Sequence, residues 1–168
     1  MVELLLVLAI FSLLASLASS SFTVILDQKR AGTKLSQLYH LLRYSRHQAV
    51  VQGLFVTVCP SFDRLQCSGD WSAPIIVFTD TNSDEVINGE DRLLRELDLL
   101  ANGQNIVLRA SARRQFIQFK ATGVSNGIAG SLVICDQSRS FYPSKLVISL
   151  TGRISLKSMD IIPCGGSA

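Results

Sequence analysis

Apolar residues fill the first eighteen positions, MVELLLVLAIFSLLASLA, and the only charge among them is Glu3. Beyond that run, Phe22, Ile25 and Leu26 lead into Ala31, Leu35, Leu38, Leu42, Ser45 and Ala49. These recur at alternating spacings of three and four, the period of one helical face. Arg30, Lys34, Arg43 and Arg46 fall mostly on the opposite side, as a solvated face would, and Gly53 supplies a C-terminal stop. The pattern predicts one helix over residues 1–53, ~80 Å long at ~1.5 Å per residue. No small domain is that long, so the first part protrudes and the second packs on something.

After Gly53 the period changes. LFVTVC, PIIVFTD, NIVLRA, RQFIQFKA, SLVICD and KLVISLTG are short runs rich in Val, Ile and Phe, set apart by Gly, Asn, Ser and Pro. Such runs read as antiparallel strands. Leu93 to Leu100 suits either a helix or a strand after a loop. Residues 54–168 are an ordinary size for one domain with its own core. The expected class is α+β: a long N-terminal helix, whose apolar stem covers about residues 1–20, laid on an antiparallel β domain of two sheets.

Glu3 constrains the stem. An ionised carboxylate near a bilayer's apolar core costs about 2.5–3.5 kcal/mol on insertion scales. The first cation along the chain is Lys29, ~40 Å away along a helix. An amine on another subunit is therefore the expected partner. A cleaved signal peptide would have a basic start, which is missing, although Ala15-Ser16-Leu17-Ala18 has the form of a cleavage site. A single-pass anchor wants about 20 apolar residues, and the run from Leu4 to Ala18 is shorter and contains Ser12 and Ser16. A membrane-stored stem later drawn into a filament, where a neighbour supplies the missing charge, fits Glu3 best.

VELLLVLAIFSLLAS resembles the N-terminal stem of type IV pilins and pseudopilins, in which a short basic leader ending in Gly precedes Phe-Thr-Leu-Val-Glu-Leu-Leu. The resemblance implies a prepilin peptidase that cleaves after the Gly and methylates the new N-terminus. It gives Glu3 the part of the glutamate that neutralises a neighbour's N-terminal amine during assembly. Leader, Gly and Phe do not stand before Val2, so a truncated start is expected and no residue takes the cleavage role. Ser20 stands where such stems often carry proline, which removes a kink-maker and favours an unbroken helix.

LYHLLRYSRHQAVVQG, VTVCP, a later Cys and Trp, IIVFTDTNSDEVINGEDRLLREL, FKATGVSNG, LVICD and KLVISLTGRISL follow in that order. Together they closely resemble the minor pilins of the FimT and GspH type, over nearly the whole chain. The resemblance implies a minor pilin that joins the tip or initiating complex of a type IV pilus, with major and minor pilins as partners. It implies a single-pass inner-membrane stem, a periplasmic globular domain, and a place at the pilus tip on the cell surface. The alternative is a minor pseudopilin of type II secretion. A membrane-anchored binding protein that never polymerises is a third class, and it would tolerate loss of Glu3.

Charge adds a further expectation. The net charge is +3, but residues 55–100 set three arginines against nine acids, a balance of −6. Residues 101–168 set eight cations against two acids, a balance of +6. Such asymmetry suits a polyanion or an acidic partner. FimT-type pilins of naturally competent bacteria bind DNA, and their C-terminal segment often carries Gly-Arg-x-Arg. Gly152-Arg153-Ile154-Ser155 keeps the Gly and the first Arg and has Ser for the second. Lys157 compensates, since alternate residues of a strand share a face. The residues implied for double-stranded DNA are Arg153, Lys157, Arg113, Arg114 and Arg109. The rival reading makes them solvated strand faces, or partners of the acidic region of a neighbouring subunit.

Four cysteines suit an oxidising compartment and allow three connectivities. The expected pairs are Cys59–Cys67, closing a small loop, and Cys135–Cys164, pinning the C-terminal segment to the sheet. No C-x-x-C pair or clustered His points to a metal. Asp80, Asn82, Asp84 and Asp91 imitate a calcium loop, but Glu85 takes the place of the turn glycine and the twelfth acid is Asp. A polar loop chosen for turn chemistry is the better reading. No nucleophile elbow, phosphate loop or dinucleotide fingerprint is present, so neither an enzyme nor a cofactor is expected.

Overall fold

The computed structural model describes residues 2–98, 104–111, 114–136 and 144–158. Helix α1 runs Val2–Gln52, about 75 Å at ~1.5 Å per residue. It ends at Gly53, whose φ of 67° is the left-handed conformation that closes helices at little cost. Ser12 does not interrupt it, because its Oγ donates to the carbonyl of Ala9 at 2.8 Å within the helix. Among the described residues no helical stretch is long and apolar enough to cross a membrane.

Eight strands follow in two antiparallel sheets. The first sheet holds β1 (Val56–Pro60), β2 (Ile75–Thr79), β3 (Leu93–Leu97) and β5 (Ile117–Phe119), in the order β3-β2-β1-β5. The second holds β4 (Gln104–Ala110), β6 (Gly130–Asp136), β7 (Ser144–Ile148) and β8 (Ile154–Ser158), in the order β4-β6-β7-β8. The expected class, a long helix on two antiparallel sheets, is what the chain adopts. The segment from Leu93, open to either assignment, is an edge strand paired with β2 through a register shift between Val77 and Phe78. Leu94 and Leu97 pack against the core from it while Leu93 stays exposed.

Helix α1 lies in the seam between the sheets, touching β1 and β5 on one side and β7 and β8 on the other. Leu35, Leu38, Leu42, Ser45 and Ala49 are buried, as their spacing predicts, and Leu41 joins them. The side chain of Ala31 lies outside the described residues. Val56, Val58 and Phe119 from one sheet, and Leu132, Leu146 and Ile148 from the other, meet this stripe in a single core. Ser45 is fully buried, and its Oγ is satisfied by the Leu41 carbonyl at 2.8 Å.

Cys59, at the end of β1, is bonded to Cys67, with 5.6 Å between their Cα atoms. The side chain of Cys135 and all of Cys164 lie outside the described residues, and with them the second expected pair. Leu38 is fully buried in the core that both sheets share, so Leu38→Ala should cost about 2–5 kcal/mol. Thermal unfolding of the full chain in mild detergent measures it, and a loss below about 1 kcal/mol would mean that the seam does not hold the head together.

Candidate functional site

The β7–β8 hairpin turns through Ser149 to Gly152. Gly152 N–H donates to the Ser149 carbonyl at 2.9 Å, and Arg153 N–H donates to Ser149 Oγ at 3.1 Å. Gly152 has φ 74°, and a Cβ there would stand 2.0 Å from the carbonyl oxygen of Gly123. No other residue fits without displacing that neighbouring turn. The same Gly123 carbonyl accepts Arg46 Nε at 2.8 Å. The glycine of the Gly-Arg pair is thus fixed by close packing, and the arginine emerges exposed where β8 begins.

Arg153 borders two depressions. One, of about 400 Å³, is lined by Arg153, Ser155 and Lys157, with Ser149 and Val147 beside them. The other, of about 500 Å³, lies between α1 and β8 and is lined by Arg43, Arg46, His47 and Arg153, with Tyr39 and Val50. Neither lining contains a carboxylate. Helical periodicity assigns Arg43 and Arg46 to a solvated side, and both are exposed. It gives no sign that β8, more than a hundred residues later, runs alongside them.

The other expected cations do not converge here. Arg109 is exposed on β4, the opposite edge of the sheet from β8. Three strand spacings separate those edges, roughly 14 Å. Arg114 donates to the Asn126 carbonyl at 3.2 Å and lies over the Phe116 ring, 5.5 Å from its centroid. Arg113 lies outside the described residues. Glu3 is exposed in the first turn of α1.

The loop from Asp80 to Asp91 brings carboxylate oxygens of Asp80, Asp84 and Asp91 within 4.8 Å of one another. Donors of the loop and of the strands beside it bond all three. Asp80, fully buried, accepts from Thr57 Oγ1 at 2.7 Å, Gln118 Nε2 at 3.1 Å and Asp84 N–H at 3.1 Å. Asp84 accepts from Asn82, Asn88 and Val86 N–H. Asp91 accepts from the N–H groups of Thr81 and Asn88. The Asn88 side-chain bond holds the Asp84 carboxyl below its ordinary range. Glu85, at φ 66°, is pushed up by burial and by the charge of Asp80, against the pull of Arg114.

Residues 35–152, well over half of the chain, match the family model described as "Type II transport protein GspH". The chain belongs to the GspH family. The resemblance to minor pilins and pseudopilins of the FimT and GspH type is therefore borne out, and the family is one of structural subunits. No curated protein matches the chain in sequence. The fold is similar to that of the Pseudomonas aeruginosa type IV minor pilin FimU, with 20% identity and a TM-score of 0.59 over 79% of this chain and 97% of that one. The Vibrio cholerae minor pseudopilin EpsH, from the type 2 secretion system, has 12% identity and a TM-score of 0.54 over 77% and 97%. Escherichia coli GspH has 14% identity and a TM-score of 0.53 over 82% and 94%. At these identities the likeness is one of fold, and it is shared by pilus and secretion subunits alike.

The raised Glu85 carboxyl has a consequence for this GspH-family head. A carboxyl lifted in the folded state favours folding below the unfolded carboxylate range, and that contribution is lost as pH rises through the folded value. Glu85→Gln should therefore raise the melting temperature at pH 7 and leave it unchanged near pH 3. The gain should be a few degrees at most, since 1 kcal/mol is worth about 2–4 °C in a chain of this size. Thermal melts at the two pH values decide it; an equal shift at both would remove the carboxyl as the cause.

Proposed function

We propose that this GspH-family chain is a minor pilin of a type IV pilus, built as a long helix over residues 1–53, whose apolar stem covers about residues 1–20, and a head over 54–168. Its mechanism is assembly. The stem, held in the inner membrane with the head in the periplasm, leaves the bilayer for the filament core. There Glu3 neutralises the N-terminal amine of an adjacent pilin, which a prepilin peptidase exposes on the processed subunit. The support for this reading is that Glu3 is the lone charge in the stem, exposed in the first turn of an unbroken helix. The family's description as a type II transport protein favours a second reading, a minor pseudopilin of type II secretion.

The head of the pilus subunit also binds double-stranded DNA through β8. The observation behind this is that Arg153 and Lys157 line one depression with Ser155 and no carboxylate. Phosphate contacts of this kind carry little sequence information and weaken steeply with salt.

Glu3→Ala should leave membrane insertion intact and abolish piliation in the host. Normal piliation in that variant would end the assembly role, and loss of exoprotein secretion with pili retained would select the second reading. For DNA, Arg153→Gln with Lys157→Gln should lower duplex affinity at 0.1 M salt by about tenfold or more. Binding equal to the parent chain, measured by fluorescence anisotropy, would clear β8 of the role.

A further inference from the structure

We infer that the groove between α1 and β8 is a second phosphate-binding subsite, in which Arg43, Arg46 and His47 of the helix extend the duplex contact begun by Arg153 and Lys157; it rests on the DNA reading above. Three guanidinium groups from two distant parts of the sequence converge on this groove with His47 beside them, and no carboxylate lines it. Like charges brought together repel, and the arrangement is eased by an anion from outside.

Three arginines elsewhere on the molecule are treated differently. Arg64 pairs with Glu96 at 2.7 Å. Arg95 lies over the Tyr44 ring, 4.3 Å from its centroid. Arg114 is bonded to a backbone carbonyl and faces Glu85. Around the groove, Arg46 commits only Nε, to Gly123, among the described residues, so its two Nη donors remain. Arg43 touches the Tyr39 ring at 5.6 Å and is otherwise exposed. Among the described residues none of the four has an ion pair.

Continuity with β8 fixes the class of ligand. Because Arg153 lines both depressions, a ligand that lies along β8 meets the groove without a break. From Arg153 to Lys157 the strand covers about 13 Å, and the helix from Arg43 to His47 adds a leg of about 6 Å. A single phosphate or carboxylate cannot span that extent. A phosphodiester backbone, with a charge about every 3.4 Å of axis per strand, can. Guanidinium groups suit such phosphates through paired N–H donors.

The test is duplex DNA of about 30 base pairs titrated against the full chain in mild detergent, over a range of salt. Removing one cation–phosphate pair should flatten the slope of log K against log salt by about 0.9, which is roughly eightfold in affinity at 0.1 M salt. Arg43→Gln should show that change with an unchanged melting temperature, Arg43→Gln with His47→Gln should show at least as much, and Arg43→Lys should restore the slope. Parent slope and affinity in the Arg43→Gln and His47→Gln double variant, while the Arg153 and Lys157 variant is weakened, would overturn the subsite and leave the β8 reading standing. Failure of the parent chain to bind duplex at all would overturn both. Displacement of DNA by poly-glutamate at equal charge concentration would overturn the phosphate assignment in favour of an acidic protein segment.

Discussion

One stripe of α1, from Leu35 to Ala49, is shared by two sheets that otherwise have separate hydrogen-bonding ladders. Among the described residues the inner faces of both sheets and this stripe form one core. Burial of large aliphatic side chains contributes about 1.5–3 kcal/mol each, so several of them on one helix face bind the two sheets firmly together. The same constraint fixes where the helix flanks fall. Residues beside the stripe on one side come to β8, and those on the other come to β3, where Arg95 covers Tyr44.

The junction of Arg46, Gly123 and Gly152 follows from that placement. With the helix held in the seam, the turn before β8 and the turn after β5 must pass each other beneath Arg46. Backbone approaches backbone so closely that a Cβ on Gly152 would overlap the Gly123 carbonyl. Arg46 then satisfies that carbonyl, which would otherwise need a partner elsewhere. A helix side chain thereby ties α1 to the hairpin that carries Arg153. The packed half of the helix and the basic hairpin are joined at this point.

Much of this is legible along the chain, and the failures have a common cause. The helix and its buried stripe are visible because a period of 3.6 is a local property, and Gly53 marks the end. Strand runs are visible in the β-branched residues. Leu93–Leu97 is ambiguous because an exposed edge strand alternates too weakly to show its period, burying only Leu94 and Leu97 in part. Cys59 and Cys67 lie eight residues apart around a turn, and their bond closes a local loop. Arg43 and Arg46 read as solvated because periodicity states which residues face away from the core. It cannot state which distant strand will lie beside them. Arg109 and Arg114 show the converse: counting charge by sequence segment groups them with Arg153, while the sheet order sends β4, with Arg109, to the far edge, and Arg114 is bonded to the Asn126 carbonyl.

The charge asymmetry of the chain becomes, in this topology, an asymmetry of the molecule. Strands β1, β2 and β3 and their acidic loops belong to the first sheet, and four of the five remaining strands build the second. Among the described residues the strands of the −6 segment lie in the first sheet, and Arg109, Lys145, Arg153 and Lys157 lie in the second. A division of charge of this kind orients a charged partner before any contact forms. The helix strengthens that bias by setting Arg43 and Arg46 beside β8 and the Tyr44 ring beneath Arg95 on β3. Cations lie on both flanks, but the β8 flank gathers three guanidinium groups in a groove whose lining holds no carboxylate. On that flank Arg46 gives its Nε to Gly123, and among the described residues none of the three guanidinium groups has an ion pair.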